Sequence, residues 1–549
     1  MKKLIALLLC MALLAGMSAG CAEEDDTVRV PTGDGIAAPE ETEPTVPDGT
    51  EPKETYQIVM AYYAELGLNP YTCVDYTNRA VFPLLYQSLF VTDMQSNTYP
   101  LLCESYVMSA DMKNYTFYLM PEARFSDGEK VEGTDVTASL LAAMSSGYYA
   151  GRFSHVKSIS NTRDGGVLIQ LDTAYENLPL LLDIPIVKKE QVNAEMPIGS
   201  GPYALRTMGD NTALYRNANW WCEAQLPIDQ QIIPLSPAVD TVDIRDQFEF
   251  FDVSLVLADP CSAFYAEYRC DYELWDCESG VFVYLGCNTE DGVFAKEEIR
   301  SALTYAIDRD TLAEEYYNGF GQPTVLPAPP QSPYYDTILA SAYTYQSTRF
   351  SQAVIQNGEK DSEITLLVNS DDTLRVQAAR AIGEMLTQCG LKVKLKEETS
   401  DDYYQALRMK EYDLYMGQTR LSPNLDLTEF FHQDGKLSFG PMNEAAIYTY
   451  CLMALENSGN YTDLYEMILN DGRLCPLLFR NYAVYASRGM LEDLAPARDN
   501  LFYYDLGRTM KDAQMDTAPE VDVPLQPETT DAPEDTTTPE ETTAPETEE

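Results

Sequence analysis

Residues 363–417 read EITLLVNSDDTLRVQAARAIGEMLTQCGLKVKLKEETSDDYYQALRMKEYDLYMG, and the spacing of their apolar side chains sets the fold class. Ile364 to Val368 is a short apolar run of strand length. Ser370 or Asp372 is placed to cap a helix whose Val376, Ala379, Ile382 and Leu386 fall on one face, and Gly390 stands where a helix-ending glycine belongs. Leu391 to Leu395 is a second strand, Asp401 to Met409 a second helix, and Tyr412 to Gly417 a third strand. Strand and helix alternating at these lengths predict a parallel sheet with right-handed crossovers, and such sheets bind ligands beyond the carboxyl ends of their strands. A site is therefore expected where the third strand ends, at Gly417.

Working outward, residues 99–139 hold an alternating strand at Tyr115, Phe117 and Leu119, a short segment Ala123 to Phe125, and the turn signal Asp127-Gly128. Thr134 is expected to cap the helix that follows, with Val136, Leu140, Leu141 and Met144 behind it. Core-packing elements are predicted for a helix from Asn78 to Phe90, a strand from Pro179 to Val187 and a long helix from Phe294 to Tyr317.

The order of residues carries a resemblance. Pro100, Leu102, Cys103, Glu104, Ser105, Tyr106; Asp111, Tyr115, Thr116, Phe117, Leu119; Phe125, Asp127, Gly128; and Asp135, Val136, Ser139 follow one another as in the N-terminal signature of the family 5 extracellular solute-binding proteins of ABC transporters, the oligopeptide, dipeptide and nickel binders. Tyr106 stands for that family's Trp and Met120 for its Arg. Pro197-Ile198-Gly199-Ser200-Gly201-Pro202-Tyr203, Arg216-Asn217 with Trp220-Trp221, and Ile299 to Arg309 resemble further family segments, so the resemblance covers about residues 56–508. The alternating glycines at 199 and 201 are not read as a phosphate loop, because no Lys-Ser/Thr pair follows them.

The resemblance implies an α/β, two-lobed periplasmic-binding-protein-like fold, of type II in its large form with an extra subdomain in lobe I. It places lobe I at 56–245, with the inserted subdomain at about 91–194, a hinge passage near Thr241 to Asp252, lobe II at 246–473, and a return to lobe I at 474–512. The start of the chain reads as a signal peptide over 1–20, with Lys2 and Lys3 before an apolar run and small residues before Cys21, the expected lipidation site. Residues 21–55 and 513–549 are acidic, rich in Pro and Thr and poor in large apolar side chains, and are expected to be a tether and a tail without a core.

The chain carries a net charge of −50, and residues 55–515 still carry −31. Nothing in such a sequence neutralises phosphates, which excludes nucleic acid, and the balance favours cationic or neutral ligands. The ten cysteines from Cys73 to Cys475 show no Cys-x-x-Cys spacing, so zinc is not expected; small buried side chains are, with a disulfide among Cys261, Cys270 and Cys277 left open. His155 and His432 are the only histidines, no Gly-x-Ser-x-Gly elbow is present, and no catalytic residue, metal site or cofactor is expected.

Within the resemblance, peptide binders carry Gly-Trp-x-x-Asp where the third strand ends, and the aspartate pairs with the ligand's α-ammonium group. Here the positions read Gly417, Gln418, Thr419, Arg420, Leu421, with Leu421 in the aspartate's place. Arg420 is a planar donor suited to carboxylate, and Asp426 is a candidate for the missing negative charge. Glu65, Leu66 and Gly67, the aromatic pair Tyr148 and Tyr149, and Tyr284 and Gly286 complete the candidate ligand-binding set. The expected function is capture of a peptide or peptide-like solute by a monomeric lipoprotein, held to the membrane by its lipid anchor, for ABC permease subunits. A nickel or metal-chelate binder with His432 as a ligand, and a peptide sensor without a permease, stand as alternatives.

Overall fold

A computed structural model describes residues 57–209, 211–222, 230–439, 442–491 and 494–502. The expected signal peptide, Cys21, both acidic ends and the chain beyond Phe502 lie outside the described residues.

The architecture is mixed α/β and two-lobed, built on one eleven-stranded sheet that runs through both lobes. Its order begins at an edge with Lys392–Glu398, Glu363–Asn369 and Leu414–Arg420, passes through the long strands Tyr272–Cys287 and Leu474–Ser487, and ends with Leu255–Ala258, Met60–Tyr62, Ile232–Pro237, Asn211–Arg216 and Tyr203–Met208. Gly321–Pro323 pairs separately with the second long strand. The predicted parallel trio is present: Glu363–Asn369 pairs in parallel with Lys392–Glu398 on one side and with Leu414–Arg420 on the other. Asp372, not Ser370, caps the helix Thr373–Gln388, and Gly390 ends it at φ 104.

Side-chain alternation in these strands separates two cores. Leu414, Met416, Val283 and Leu285 enter one cluster with Ile382 and Leu386 of the helix, while Tyr415, Phe282 and Tyr284 enter the other with Phe430 and Tyr465. The first lobe has its own core around Leu84, Phe117, Val136 and Ile186, and includes a four-stranded antiparallel sheet that carries Asn114–Leu119.

Four expectations give way. Thr134 is not the cap: Glu132 and Asp135 form a reciprocal capping box at the head of Gly133–Ala143, which satisfies two backbone N–H groups where a lone threonine satisfies one. The helix expected over 78–90 is two single turns, Tyr76–Arg79 and Phe82–Leu85, because Pro83 has no N–H to give the Arg79 carbonyl. Pro179 and Pro185 likewise reduce the expected strand over 179–187 to a 3₁₀ turn, Leu178–Leu181, and single bridges at Ile186 and Val187. The long helix expected over 294–317 is broken into Glu297–Arg300, a 3₁₀ turn Leu303–Ala306 and Arg309–Tyr316, the last capped by Asp308. Buried arginines take up the freed carbonyls: Arg300 donates to Phe294 and Ala295, and Arg309 to Thr304, Ile307 and Pro476.

The expected hinge at 241–252 is mostly a helix, Thr241–Glu249. The two long antiparallel strands run through both cores, with Cys277 and Val484 in the first-lobe cluster and Val283, Leu285 and Leu478 in a second-lobe cluster. Their register slips between Glu278 and Val281, and Gly280 in the slip has φ 70. All ten described cysteines are free thiols and eight are buried, so the disulfide left open among Cys261, Cys270 and Cys277 is not formed.

Candidate binding site

The bulge at Ser279-Gly280 makes room for cations. A side chain at Gly280 would overlap the Arg498 guanidinium, since a Cβ there would lie 2.2 Å from its Cζ. The Ser279 carbonyl accepts from Arg420, and the Leu421 carbonyl from Arg498. Arg420 reaches across the lobes: its guanidinium lies over the Tyr148 ring at 4.4 Å and donates to the hydroxyls of Tyr148 at 3.2 Å and Tyr482 at 2.7 Å. Arg79 lies 3.3 Å from the centroid of the same ring, so one tyrosine meets cations of both lobes.

Asp499 is the anion of this cluster. It pairs with Arg152 and with Arg79 and accepts from the Tyr148 hydroxyl at 2.7 Å. Burial pushes its carboxyl up, but Arg152, Arg79 and Arg498 outweigh burial and hold it well below the usual carboxylate range. Asp183 also pairs with Arg152, yet there burial prevails and its carboxyl is raised. Arg420 pairs with no carboxylate within 4 Å among the described residues.

Next to this cluster lies a cavity of about 220 Å³, walled by Asp93 and Asp183 of the first lobe, Asp276, Glu278 and Asn481 of the crossing strands, Gln322 and Pro423 of the second lobe, and Arg498. A tighter cavity of about 60 Å³ sits against Arg79, Tyr148, Tyr149 and Tyr482. Contacts elsewhere join the lobes. His155 of the first lobe faces Asp426 of the second at 3.2 Å, and the Glu176 carboxylate accepts from the Ser458 N–H at 2.7 Å.

Of the sequence candidates, Tyr148, Tyr149 and Arg420 are brought together. Tyr284 and Gly286 are not at the cavities: Tyr284 is 2 % exposed in the second-lobe core. Tyr284 and Gly417 are cross-strand partners, as are Gly286 and Tyr415, and each glycine leaves the space its partner's ring fills, with a Cβ at 417 or 286 falling 2.3 or 2.1 Å from that ring. The third strand does not end at Gly417 but runs to Arg420, because Gln418, Thr419 and Arg420 go on pairing with Val283, Phe282 and Val281. Gln418 accepts from Arg480, Thr419 lines neither cavity, and Leu421 is buried in the second-lobe core. Asp426 does not supply a charge beside Arg420; it is tied to His155 and Thr428. Glu65, Leu66 and Gly67 form a short turn against Glu195 and Asn78 and line neither cavity. The His432 ring lies tilted against Tyr448, with centroids 5.0 Å apart, and no group of three or more His, Cys, Asp or Glu among the described residues is placed to hold a metal ion.

Arg79, Arg152, Arg498, Asp499, Asp276, Glu278, Asn481 and Tyr482 escaped sequence reasoning. One signal was available: in a chain with 37 basic against 87 acidic residues, arginines flanked by apolar side chains, as at Arg152-Phe153 and Ala497-Arg498, stand out.

The family model for "Bacterial extracellular solute-binding proteins, family 5 Middle" matches residues 97–436. The glutathione-binding protein GsiB of Escherichia coli K12 is 25 % identical over 344 residues, a stretch covering 60 % of this chain and 66 % of that protein. Among solved structures, HbpA2 from Haemophilus parasuis superposes with a TM-score of 0.68 at 16 % identity, covering 82 % of this chain and 99 % of that one. The oligopeptide-binding protein AppA of Bacillus subtilis, solved with a nonapeptide, gives 0.57 at 19 % identity, covering 82 % and 98 %. No helix among the described residues is long and apolar enough to cross a membrane.

Proposed function

The chain belongs to the bacterial extracellular solute-binding proteins of family 5, and from that premise we propose that it captures a small peptide or peptide-like solute between its lobes and delivers it to the permease subunits of an ABC importer. The observation that carries the reading is the polar cavity of about 220 Å³, to which both lobes and both crossing strands contribute walls. Binding at such a place links ligand to lobe closure, because contacts to both lobes exist only when the lobes meet. The volume is below the roughly 300–1,000 Å³ of drug-sized pockets, which suits a solute of dipeptide scale. GsiB, named for glutathione, and AppA, solved with a nonapeptide, bracket the class of ligand.

The protein acts at the outer face of the membrane, anchored through a lipid on Cys21. Mass spectrometry of the solute that co-purifies with the full chain, followed by isothermal titration with defined di- and tripeptides, tests the capture. Micromolar or tighter binding is expected, and an absence of binding to every peptide offered refutes it. Detergent-phase partitioning of the parent against Cys21→Ala tests the anchor: the parent is expected in the detergent phase, and the variant in the aqueous phase.

A further inference from the structure

The 220 Å³ cavity is furnished with acceptors that the protein itself leaves unused. Asp276 and Glu278 stand two residues apart on the crossing strand Tyr272–Cys287, and therefore on one face of it. Glu278 is directly opposite Asn481 on the second long strand, which sets the carboxylate and the amide side by side. Neither carboxylate has an ion-pair partner within 4 Å among the described residues. Asn481 is 3 % exposed, and its Oδ1 has no hydrogen-bond partner. Gln322, on the second-lobe wall, repeats the pattern: its Oε1 is buried and unpartnered. Buried polar atoms without partners are rare in folded proteins, and here two amide oxygens and two carboxylates share one cavity.

What these groups have in common is that they accept hydrogen bonds. A ligand that satisfies all four must bring donors and positive charge, since a carboxylate or phosphate would leave both amide oxygens unpaired and repel both acids. Arg498, the cation on the wall, donates one N–H to the Leu421 carbonyl and keeps its buried Nε–H unpartnered, a single free donor against the four acceptors, and Asp183 is engaged by Arg152. Burial raises the carboxyls of both Asp276 and Glu278, with Arg498 pulling Glu278 partly back, the state of acids that lack a close counter-charge.

We propose that Asp276, Glu278, Asn481 and Gln322 form a subsite for a protonated amine or guanidinium of the captured solute. The proposal rests on the reading of this cavity as the solute site, and it specifies the chemistry of the group held there. A cation between the two acids draws their raised carboxyls back toward the ionised state, so binding releases protons wherever the free site is partly protonated.

The test titrates the full chain, in detergent, with a pool of free dipeptides, with the same pool after N-acetylation, and with putrescine and agmatine. Parallel titrations use Glu278→Gln and Asp276→Asn, near-isosteric changes whose folding is checked by thermal melts. Free dipeptides are expected to bind at least 10-fold tighter than acetylated ones. Each substitution is expected to weaken the cationic probes by about 30-fold or more, the low end for removing one partner of a buried charged pair, and the acetylated probes by far less. Full affinity of every cationic probe in both variants overturns the subsite and leaves solute capture standing, as does measurable and equal binding of the free and acetylated pools when neither putrescine nor agmatine binds. Binding of agmatine or putrescine alone, lost in Glu278→Gln, upholds the subsite and sinks the peptide reading. Silence from every cation in the panel refutes the subsite.

Discussion

Replacing Asp426 by Asn loosens the lobes without disturbing the loop that carries it. Asp426 Oδ1 accepts from the Thr428 N–H at 2.8 Å and from its hydroxyl at 2.7 Å, and an asparagine oxygen keeps both bonds. What is lost is the charge facing His155 Nε2 at 3.2 Å, in a pair whose side chains are only 17 % and 6 % exposed. Opposite unit charges about 4 Å apart attract by about 4 kcal/mol at an effective dielectric of 20, and drying both groups offsets a large part of that. A net loss of about 1.4–3 kcal/mol follows, which is roughly 10- to 100-fold in the balance between joined and parted lobes.

The pH dependence has a definite sign. Burial lowers the His155 pKa, but Asp426 and Asp172 outweigh it and hold it above its ordinary value; burial raises Asp426, but His155 and Thr428 hold it below. The histidine's contribution is therefore complete below about pH 6.5 and fades as pH rises through the raised value, while the aspartate's is present above about pH 4 and fades as pH falls through the depressed one. The contact is tightest between those limits. Asp172, 3.3 Å from the other ring nitrogen, preserves part of the histidine's charge in the variant. Hydrogen exchange at the Ser458 amide, which is bonded across the lobes to Glu176, reads the balance directly. In the parent, protection at pH 6 is expected to exceed that at pH 8.5 after correction for intrinsic rates, and Asp426→Asn is expected to lower it 10- to 100-fold at pH 6. Unchanged protection in the variant, or the same pH slope, refutes the reasoning.

Gly280→Ala is expected to cost about 2–4 kcal/mol in urea unfolding, since φ 70 strains an alanine and its Cβ meets the Arg498 guanidinium. Gly417→Ala is expected to cost about 1–3 kcal/mol by driving the Tyr284 ring from its place, whereas neighbouring Thr419→Ala stays within about 1 kcal/mol; the reverse order sinks the account of this strand pair. Asp499→Asn leaves Arg79 without a carboxylate and Arg152 with Asp183 alone, and is expected to lower stability at neutral pH by about 3 kcal/mol; because the parent carboxyl is depressed, the gap between the two proteins should close only in strong acid. Arg420→Lys keeps the charge but loses the planar overlap with Tyr148 and the Tyr482 bond, so exchange at Ser458 should quicken about 10-fold.

Periodic segments were legible in advance. The parallel trio over 363–420 follows from alternation, capping and a helix-ending glycine, all of which act within a few residues along the chain. Errors fell where neighbours in space supplied what the local pattern lacked. Arg300 and Arg309 absorb carbonyls that an unbroken helix would have satisfied by itself, and the pairing of Gln418 to Arg420 with Val281 to Val283 extends a strand past its apparent end. The candidate site was less legible still. The sequence marks Tyr148 and Arg420 separately, but their contact, and the place of Arg79 against the same ring, depend on both lobes.

By itself, the sequence determined the class of fold, its alternating elements and, through the order of short motifs, its family, because backbone propensity and side-chain periodicity are properties of neighbours along the chain. Only the tertiary structure decided that Tyr284 and Leu421 are core, that Asp426 fastens the lobes, and that Asp276, Glu278 and Asn481 face one cavity. Charge and hydrogen-bond pairing are settled across distances of a few ångströms between segments hundreds of residues apart, and no pattern along the chain records which groups are left without partners.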